Sequence, residues 1–151
     1  MRFSELHPDG TYASALPTEE SRDQLMELID SLDLINPVER SSLHCTLIYS
    51  TKPCPNSEEL ATTDAKLKAT VESLEVWHSD YYGSDILVAL LKSDDLSELN
   101  AKFMSKYGAT GTFEEYRPHI TLSKDCSKGS YELPSPFEIE FNTVKVEPIE
   151  K

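Results

Sequence analysis

The sequence predicts an α+β fold: antiparallel sheets and two main helices, arranged as two lobes around a central cleft. Two observations carry this prediction. A strand, a helix and a strand follow one another near the N-terminus, and the same order returns in the second half of the chain. Each of these two units ends in a strand with the pattern His-x-Thr-Leu. The two patterns are therefore expected to meet in the cleft between the lobes.

The first unit consists of an opening strand, a helix and a motif strand. The opening strand is predicted over residues 11–16. Thr18, followed by two glutamates, is typical of a helix N-cap. Apolar residues at helical spacing extend the helix to Leu32, and Asn36-Pro37 ends the segment. The first motif strand follows near residues 43–50.

The second unit is preceded by a hairpin. Strand segments at 67–78 and 84–91 flank a short polar turn, and the continuous apolar run in the second of them suits a strand buried on both faces. A second helix is predicted from about 94 to 107, ending at Gly108, a common residue after a helix. The second motif strand begins near His119.

The C-terminal strand contains a change of parity. Phe137, Ile139 and Phe141 alternate with acids, and Val144 and Val146 then continue on the other parity. Since a strand keeps its apolar residues on one face, the sequence predicts a bulge or bend near Asn142-Thr143.

The two motifs are His44-Cys45-Thr46-Leu47 and His119-Ile120-Thr121-Leu122. Residues i and i+2 of a strand share a face, so each motif presents an imidazole and a hydroxyl about 7 Å apart. In the first motif strand, Leu43, Cys45, Leu47 and Tyr49 alternate with His44, Thr46, Ile48 and Ser50.

Two histidines and two threonines supply the groups that phosphodiester cleavage needs. One imidazole acts as a base and the other as an acid, because the pKa of a free imidazole is near 6.5. The hydroxyls donate to the non-bridging oxygens of the phosphate. The predicted catalytic residues are His44, Thr46, His119 and Thr121, and the sequence leaves open which histidine is the base.

The duplicated His-x-Thr pattern resembles the two-histidine phosphoesterase superfamily over roughly residues 10 to 148. That resemblance implies a bilobal α+β fold and metal-independent cleavage of phosphodiesters. The motif positions, the chain length and the opening Gly10-Thr11-Tyr12-Ala13 are similar to the phage anti-CBASS phosphodiesterases. This narrower resemblance implies that the substrates are the cyclic oligonucleotide signals of infected bacteria.

Further side chains are candidates for substrate binding. Aromatic rings stack on nucleobases, and the resemblance implies such a role for an aromatic residue on the opening strand. Core packing is the alternative for the aromatic candidates, and a solvated surface charge is the alternative for the charged ones. The predicted substrate-binding residues are Tyr12, Trp77, Tyr116, Arg117 and Glu147.

Composition excludes several classes. The net charge of −13 argues against binding of long nucleic acid, whereas a small cyclic oligonucleotide carries few charges and needs only a local cationic cluster. No Cys-x-x-Cys, His-Glu-x-x-His or calcium-loop spacing is present, so neither a metal nor another cofactor is expected. Three scattered cysteines and the lack of a signal or membrane-spanning segment predict a cytoplasmic protein with no membrane partner. The sequence predicts one two-lobed domain over residues 1–151 and leaves the oligomeric state open.

The sequence is compatible with three functions. The first is a phosphodiesterase that converts cyclic di- or trinucleotide messengers to linear products. The second uses the same histidine pair on 2′,3′-cyclic phosphates or 2′-5′ oligonucleotides. The third is a sponge that binds a cyclic nucleotide without cleaving it, although a pure binder has no need of an acid/base pair.

Overall fold

The computed structural model describes residues 10–32, 34, 36–50, 52, 54, 56–79, 83–109, 116–125 and 131–148. The α+β class, the antiparallel pairing and the two main helices are confirmed. The strands are β1 (Thr11–Pro17), β2 (Cys45–Ser50), β3 (Leu67–Ser79), β4 (Ser84–Lys92), β5 (His119–Ser123) and β6 (Phe137–Pro148), and the helices are α1 (Glu19–Ser31) and α2 (Asp94–Lys106). Short 3-10 helices cover Arg40–Ser42 and Ser57–Leu60.

The strands form one closed circuit in the order β1-β2-β5-β4-β3-β6. The predicted hairpin is β3 and β4, and β6 closes the circuit by pairing with both β1 and β3. The two motif strands, β2 and β5, are direct neighbours. The sequence predicts that the motifs meet across a cleft between the two strand–helix–strand units. In the structure the two motif strands pair directly with each other.

Both helices begin at residues that cap them. The Thr18 side chain accepts a hydrogen bond from the N–H of Ser21, as the sequence predicts, and Ser93 accepts one from the N–H of Leu96. Helix α1 ends at Ser31, before the predicted Asn36-Pro37 stop. Helix α2 ends close to Gly108, which has a φ of 72° and so takes the left-handed conformation that glycine favours at this position.

The predicted irregularity in the last strand is confirmed. Leu16 pairs with Thr143 and Pro17 pairs with Phe141, so Asn142 is the extra residue of a bulge. The bulge changes the parity of β6, and this lets both Phe141 and Val144 be buried.

The core is formed by buried side chains of the strands and of the two helices that pack on them. Strand β4 is buried on both faces from Ile86 to Ala89, as predicted. Leu25 of α1 and Phe103 of α2 are fully buried against the strands. Cys45 and Cys54 are free, fully buried thiols. His7, Tyr81, Tyr82 and Cys126 lie outside the described residues.

None of the helices in the described part of the chain is long and apolar enough to span a membrane.

Candidate active site

The register of the two motif strands brings their polar side chains together. Cys45 pairs with Ile120, and both side chains are fully buried in the core. The residues on either side of this pair therefore point to the opposite face of the strand pair. Extending the antiparallel register by one residue in each direction sets His44 opposite Thr121 and Thr46 opposite His119. Directly opposed residues have Cβ atoms about 5 Å apart, and the two histidines, which are diagonal, about 7 Å apart.

The two imidazoles are held in the same way. Nδ1 of His44 lies 2.7 Å from the carbonyl oxygen of Ser42, and Nδ1 of His119 lies 2.8 Å from the carbonyl oxygen of Arg117. Because a carbonyl oxygen only accepts, each Nδ1 carries a proton and donates. Nε2 of each ring is then the atom available for proton transfer.

The environment of His119 favours its neutral form. Burial lowers the pKa of His119 below the ordinary value, the hydrogen bond to the Arg117 carbonyl opposes this, and the charges of His44 and Arg117 lower the pKa further. The influence of His44 on this pKa agrees with the diagonal placement of the two rings. Nε2 of His119 is therefore free to accept a proton at neutral pH.

A bulge in β2 changes which residues share the face of the motif. Ser14 pairs with Thr46 and Ala13 pairs with Ile48, so Leu47 is the extra residue. The alternation noted in the sequence holds up to Leu47 and then reverses, because Ile48 is buried and Tyr49 is 47% exposed. Asn100 of α2 donates a 2.8 Å hydrogen bond to the carbonyl of Leu47, which fixes the bulge to the helix.

Tyr12 lies beside the first motif. Its hydroxyl is 3.2 Å from Thr46 Oγ1, and its ring meets that of Tyr49 edge-to-face at 6.1 Å. Burial raises the pKa of Tyr12, so its hydroxyl stays protonated and is able to donate. On the other side of β1, Tyr12 pairs with Glu147, whose carboxylate forms a 2.8 Å ion pair with Lys145.

Tyr116 supports the first motif from behind. Its hydroxyl donates a 2.8 Å hydrogen bond to the carbonyl of Thr46 and lies 3.7 Å from Cys45 Sγ. Burial raises the pKa of Tyr116 above its ordinary range and raises that of Cys45 to about 11, so both groups stay neutral. The position of Tyr116 accordingly favours a supporting role over direct contact with a ligand.

Trp77 and Arg117 lie beside the second motif. The Trp77 ring packs against the His119 ring with centroids 4.6 Å apart, and the Arg117 guanidinium covers the Trp77 ring at 5.2 Å. Glu75 accepts a 2.9 Å hydrogen bond from Trp77 Nε1 and forms an ion pair with Arg117. Strand β5 begins at His119, so Arg117 precedes the strand and reaches this face from the segment before Pro118.

Sequence reasoning missed three residues of this region: Tyr49, Glu75 and Asn100. The alternation in the sequence places Tyr49 on the buried face, and only the bulge at Leu47 makes this residue exposed. Glu75 is one of 27 acidic residues, and Asn100 is a polar residue within a helix, so neither carries a local signal. Among the described residues, no three His, Cys, Asp or Glu side chains converge in the manner of metal ligands.

The barrel, with its two His-x-Thr strands side by side, has a fold that solved structures of other proteins share. The same fold occurs in the crystal structure of Escherichia coli LigT complexed with NADP+, with a TM-score of 0.58 and 17% identity over 95% of this chain and 96% of that one. It also occurs in a structure described as a phosphoesterase, with a TM-score of 0.55 and 17% identity over 95% of this chain and 96% of that one. The chain belongs to the family of the anti-CBASS protein Acb1, whose model matches residues 9–151.

Curated relatives support this membership. The anti-CBASS protein Acb1 of Yersinia phage phiR1-RT is 34% identical over 115 residues, which cover 76% of this chain and 71% of the relative. That of Enterobacteria phage T4 is 34% identical over 122 residues, covering 81% and 76%. That of Acinetobacter phage Ac42 is 32% identical over 134 residues, covering 89% and 83%.

Proposed function

We propose that the protein counters CBASS by hydrolysing cyclic di- or trinucleotide messengers to linear products, without a metal. The observation that carries this proposal is the pairing of Cys45 with Ile120. With the register extended by one residue on each side, this pairing sets two imidazoles and two threonine hydroxyls around one point, on the face opposite the buried Cys45 and Ile120 side chains. A diagonal separation of about 7 Å between the histidines leaves room for one phosphate group between them. Family membership supplies the link to CBASS.

The proton-transfer roles follow from the surroundings of the rings. His119, whose pKa is lowered by burial, is the proposed base, and His44 is the proposed acid. In a ribonucleotide ring, His119 Nε2 takes the proton of the 2′-OH, and the 2′ oxygen forms a bond to phosphorus. The bond from phosphorus to the 5′ oxygen breaks, and His44 delivers a proton to that oxygen. The resulting 2′,3′-cyclic phosphate is then opened by water.

Direct attack of water on the phosphate is the alternative route, with the same two side chains in the same roles. A cyclic dinucleotide with hydrogen in place of the relevant 2′-OH separates the two. Loss of cleavage identifies the 2′ oxygen as the nucleophile, whereas continued fast cleavage identifies water.

Aromatic residues favour a substrate with a base on each side of the reacting phosphate. Tyr12 lies next to Thr46 on one side of the histidine pair, and Trp77 lies next to His119 on the other. Stacking on a base contributes roughly 1–3 kcal/mol per base. A dinucleotide linkage gives both rings a partner, whereas a 2′,3′-cyclic mononucleotide gives a partner to only one.

The test is turnover in the presence of EDTA of cyclic di- and trinucleotides, a 2′-5′ dinucleotide and a 2′,3′-cyclic mononucleotide, with products identified by chromatography and mass. His44→Ala and His119→Ala are expected to lose activity by at least about a hundredfold. His78→Ala is the matched control, because His78 is an exposed histidine that pairs with Asp85. Linear products that require both motif histidines support the proposal.

Other outcomes contradict it in distinct ways. Activity confined to the mononucleotide or to the 2′-5′ linkage would assign the second function. Binding of a cyclic dinucleotide that is recovered unchanged would assign a sponge. Activity that EDTA abolishes and a divalent ion restores would replace the two-histidine mechanism by a metal-dependent one.

A further inference from the structure

Glu75 lies at the centre of a cluster that reaches the proposed base. One of its carboxylate oxygens accepts the 2.9 Å hydrogen bond from Trp77 Nε1. The same carboxylate accepts hydrogen bonds from Arg117 at 3.2 and 3.3 Å. The hydrogen bond from Trp77, followed by that from Arg117, lowers the pKa of Glu75, so the carboxylate is ionised at neutral pH.

Both residues that Glu75 holds also contact His119. The Trp77 ring packs edge-to-face on the imidazole, and the backbone carbonyl of Arg117 accepts the hydrogen bond from His119 Nδ1. The Arg117 side chain also covers the Trp77 ring, so the three groups form a closed set of contacts. A change at Glu75 therefore acts on both the ring face and the Nδ1 anchor of His119.

The cluster depends on the barrel, because it joins two pairs of residues that are far apart in the sequence. Glu75 and Trp77 are on β3, His119 is on β5, and β4 lies between these strands. Glu75 pairs with Val88, which in turn pairs with Thr121. Glu75 and Trp77 thus share the face of the second motif, and their side chains extend across β4 toward it.

We propose that Glu75 is a positioning residue that holds Trp77 and Arg117 in place. Trp77 in turn fixes the His119 ring and is oriented for stacking on a nucleobase. This inference rests on the proposed function, because it assigns Glu75 to the reaction in which His119 is the base. Glu75 does not touch the reacting atoms. Its effect on cleavage passes through Trp77 and Arg117.

The protein contains one tryptophan beside seven tyrosines, so tryptophan emission, excited at a wavelength that tyrosine does not absorb, reports on this cluster. A protonated imidazole in contact with an indole quenches the emission of that indole. Titration of wild-type emission with pH is therefore expected to give a quenching step from His119. The step is expected to be absent in His119→Ala and present in His78→Ala, the variant of the histidine next to Trp77 in sequence.

The test compares Glu75→Ala, Glu75→Gln and Glu72→Ala with the wild type. In Glu75→Ala we expect emission shifted to longer wavelength, greater quenching by acrylamide, and loss of the pH-dependent step. Glu75→Gln keeps an oxygen that accepts from Trp77 Nε1, so its emission is expected to stay close to that of the wild type. Glu72→Ala removes an exposed acid from the same strand and is expected to change nothing.

Turnover then connects the cluster to the reaction. Displacement of a reacting group by about 1 Å costs up to about a hundredfold in rate, so kcat of Glu75→Ala is expected to fall by about tenfold or more. KM is expected to rise as well, because the stacking platform is displaced. Glu75→Gln is expected to recover most of both parameters.

Two results would overturn the inference. Unchanged emission and an unchanged quenching step in Glu75→Ala would mean that Glu75 does not hold Trp77 on His119. Altered emission with unaltered kcat and KM would mean that the arrangement does not matter for cleavage. A wild-type protein that cleaves none of the nucleotides would refute the proposed function and with it the catalytic part of this inference, while the fluorescence result would still decide whether Glu75 positions the two side chains.

Discussion

Replacement of Asn100 by Asp removes one hydrogen-bond donor and keeps the shape of the side chain. The Asn100 amide donates a 2.8 Å hydrogen bond to the carbonyl of Leu47, the extra residue of the β2 bulge. Leu47 is fully buried and Asn100 is half-buried, so water does not readily replace the amide. The bulge lets Thr46 and Tyr49 share one face of the strand, and this bond therefore supports the arrangement of the candidate site.

The size of the expected destabilisation follows from the loss of that hydrogen-bond donor. A buried acceptor left without its donor costs about 1–3 kcal/mol. Asn and Asp have similar helix propensities, so the helix itself contributes little to the difference. We expect Asn100→Asp to lower the free energy of unfolding by about 2 kcal/mol at pH 7. For a domain of this size that corresponds to a decrease in Tm of about 4–8 °C.

The destabilisation is expected to depend on pH with a defined sign. The new carboxylate faces a carbonyl oxygen, so folding raises its pKa above the unfolded value of about 3.9. At pH values above the folded pKa, the variant has its largest deficit in free energy of unfolding relative to the wild type. The deficit shrinks as the pH falls through that value, because the protonated carboxyl donates to the Leu47 carbonyl again.

Thermal unfolding by circular dichroism from pH 3.5 to 8 measures this difference. Ser97→Asp is the matched control, because it adds the same charge at an exposed position of α2 and is expected to change stability by less than about 0.5 kcal/mol. An Asn100→Asp protein as stable as the control at pH 7, or a deficit that grows on acidification, would refute the reasoning.

Three further predictions concern the site and its support. Because burial lowers the pKa of His119, the acidic limb of the pH profile of kcat/KM is expected to have its midpoint below the ordinary imidazole value of about 6.5. A midpoint above that value in rate measurements would contradict the assignment of His119 as base. The buried Cys45 and Cys54 thiols are expected to react with iodoacetamide only after unfolding, as followed by peptide mass mapping, and rapid native alkylation would contradict their burial. Tyr116→Phe removes the donor to the Thr46 carbonyl and is expected to cost about 1 kcal/mol in denaturant unfolding, whereas an unchanged midpoint would mean that this bond contributes nothing.

Much of the fold could be predicted because its signals are local. Helical spacing and the cap at Thr18 set the start of α1, and Gly108 marks the end of α2. The parity change after Phe141 indicated the Asn142 bulge, since both flanking segments contain enough apolar residues to show which parity is buried. That His44 shares a strand face with Thr46, and His119 with Thr121, follows from strand geometry alone.

The rest depends on contacts between strands that are distant in sequence. After Leu47 the strand has a buried Ile48 and an exposed Tyr49, and both are hydrophobic enough to fill either position, so the bulge leaves no mark in the sequence. The position of Glu75 is set by its register with β4, and the position of Asn100 by the packing of α2 on β2. These are properties of the assembled barrel, which no window of neighbouring residues contains.

The same dependence accounts for the difference between two motifs that are nearly identical in sequence. Nδ1 of each histidine donates a hydrogen bond to the backbone carbonyl two residues earlier, so both rings are anchored in the same way. Of these two histidines, only His119 is packed against an aromatic ring of the described residues, and that ring belongs to β3, two strands away. The burial that lowers the pKa of His119 therefore comes from the barrel and not from the motif. Replacing Trp77 by Leu leaves His119 and its Nδ1 anchor in place but covers the ring less fully, so the acidic midpoint of the kcat/KM profile is expected to rise toward about 6.5. A midpoint that does not move would mean that Trp77 does not cause the lowered pKa of His119.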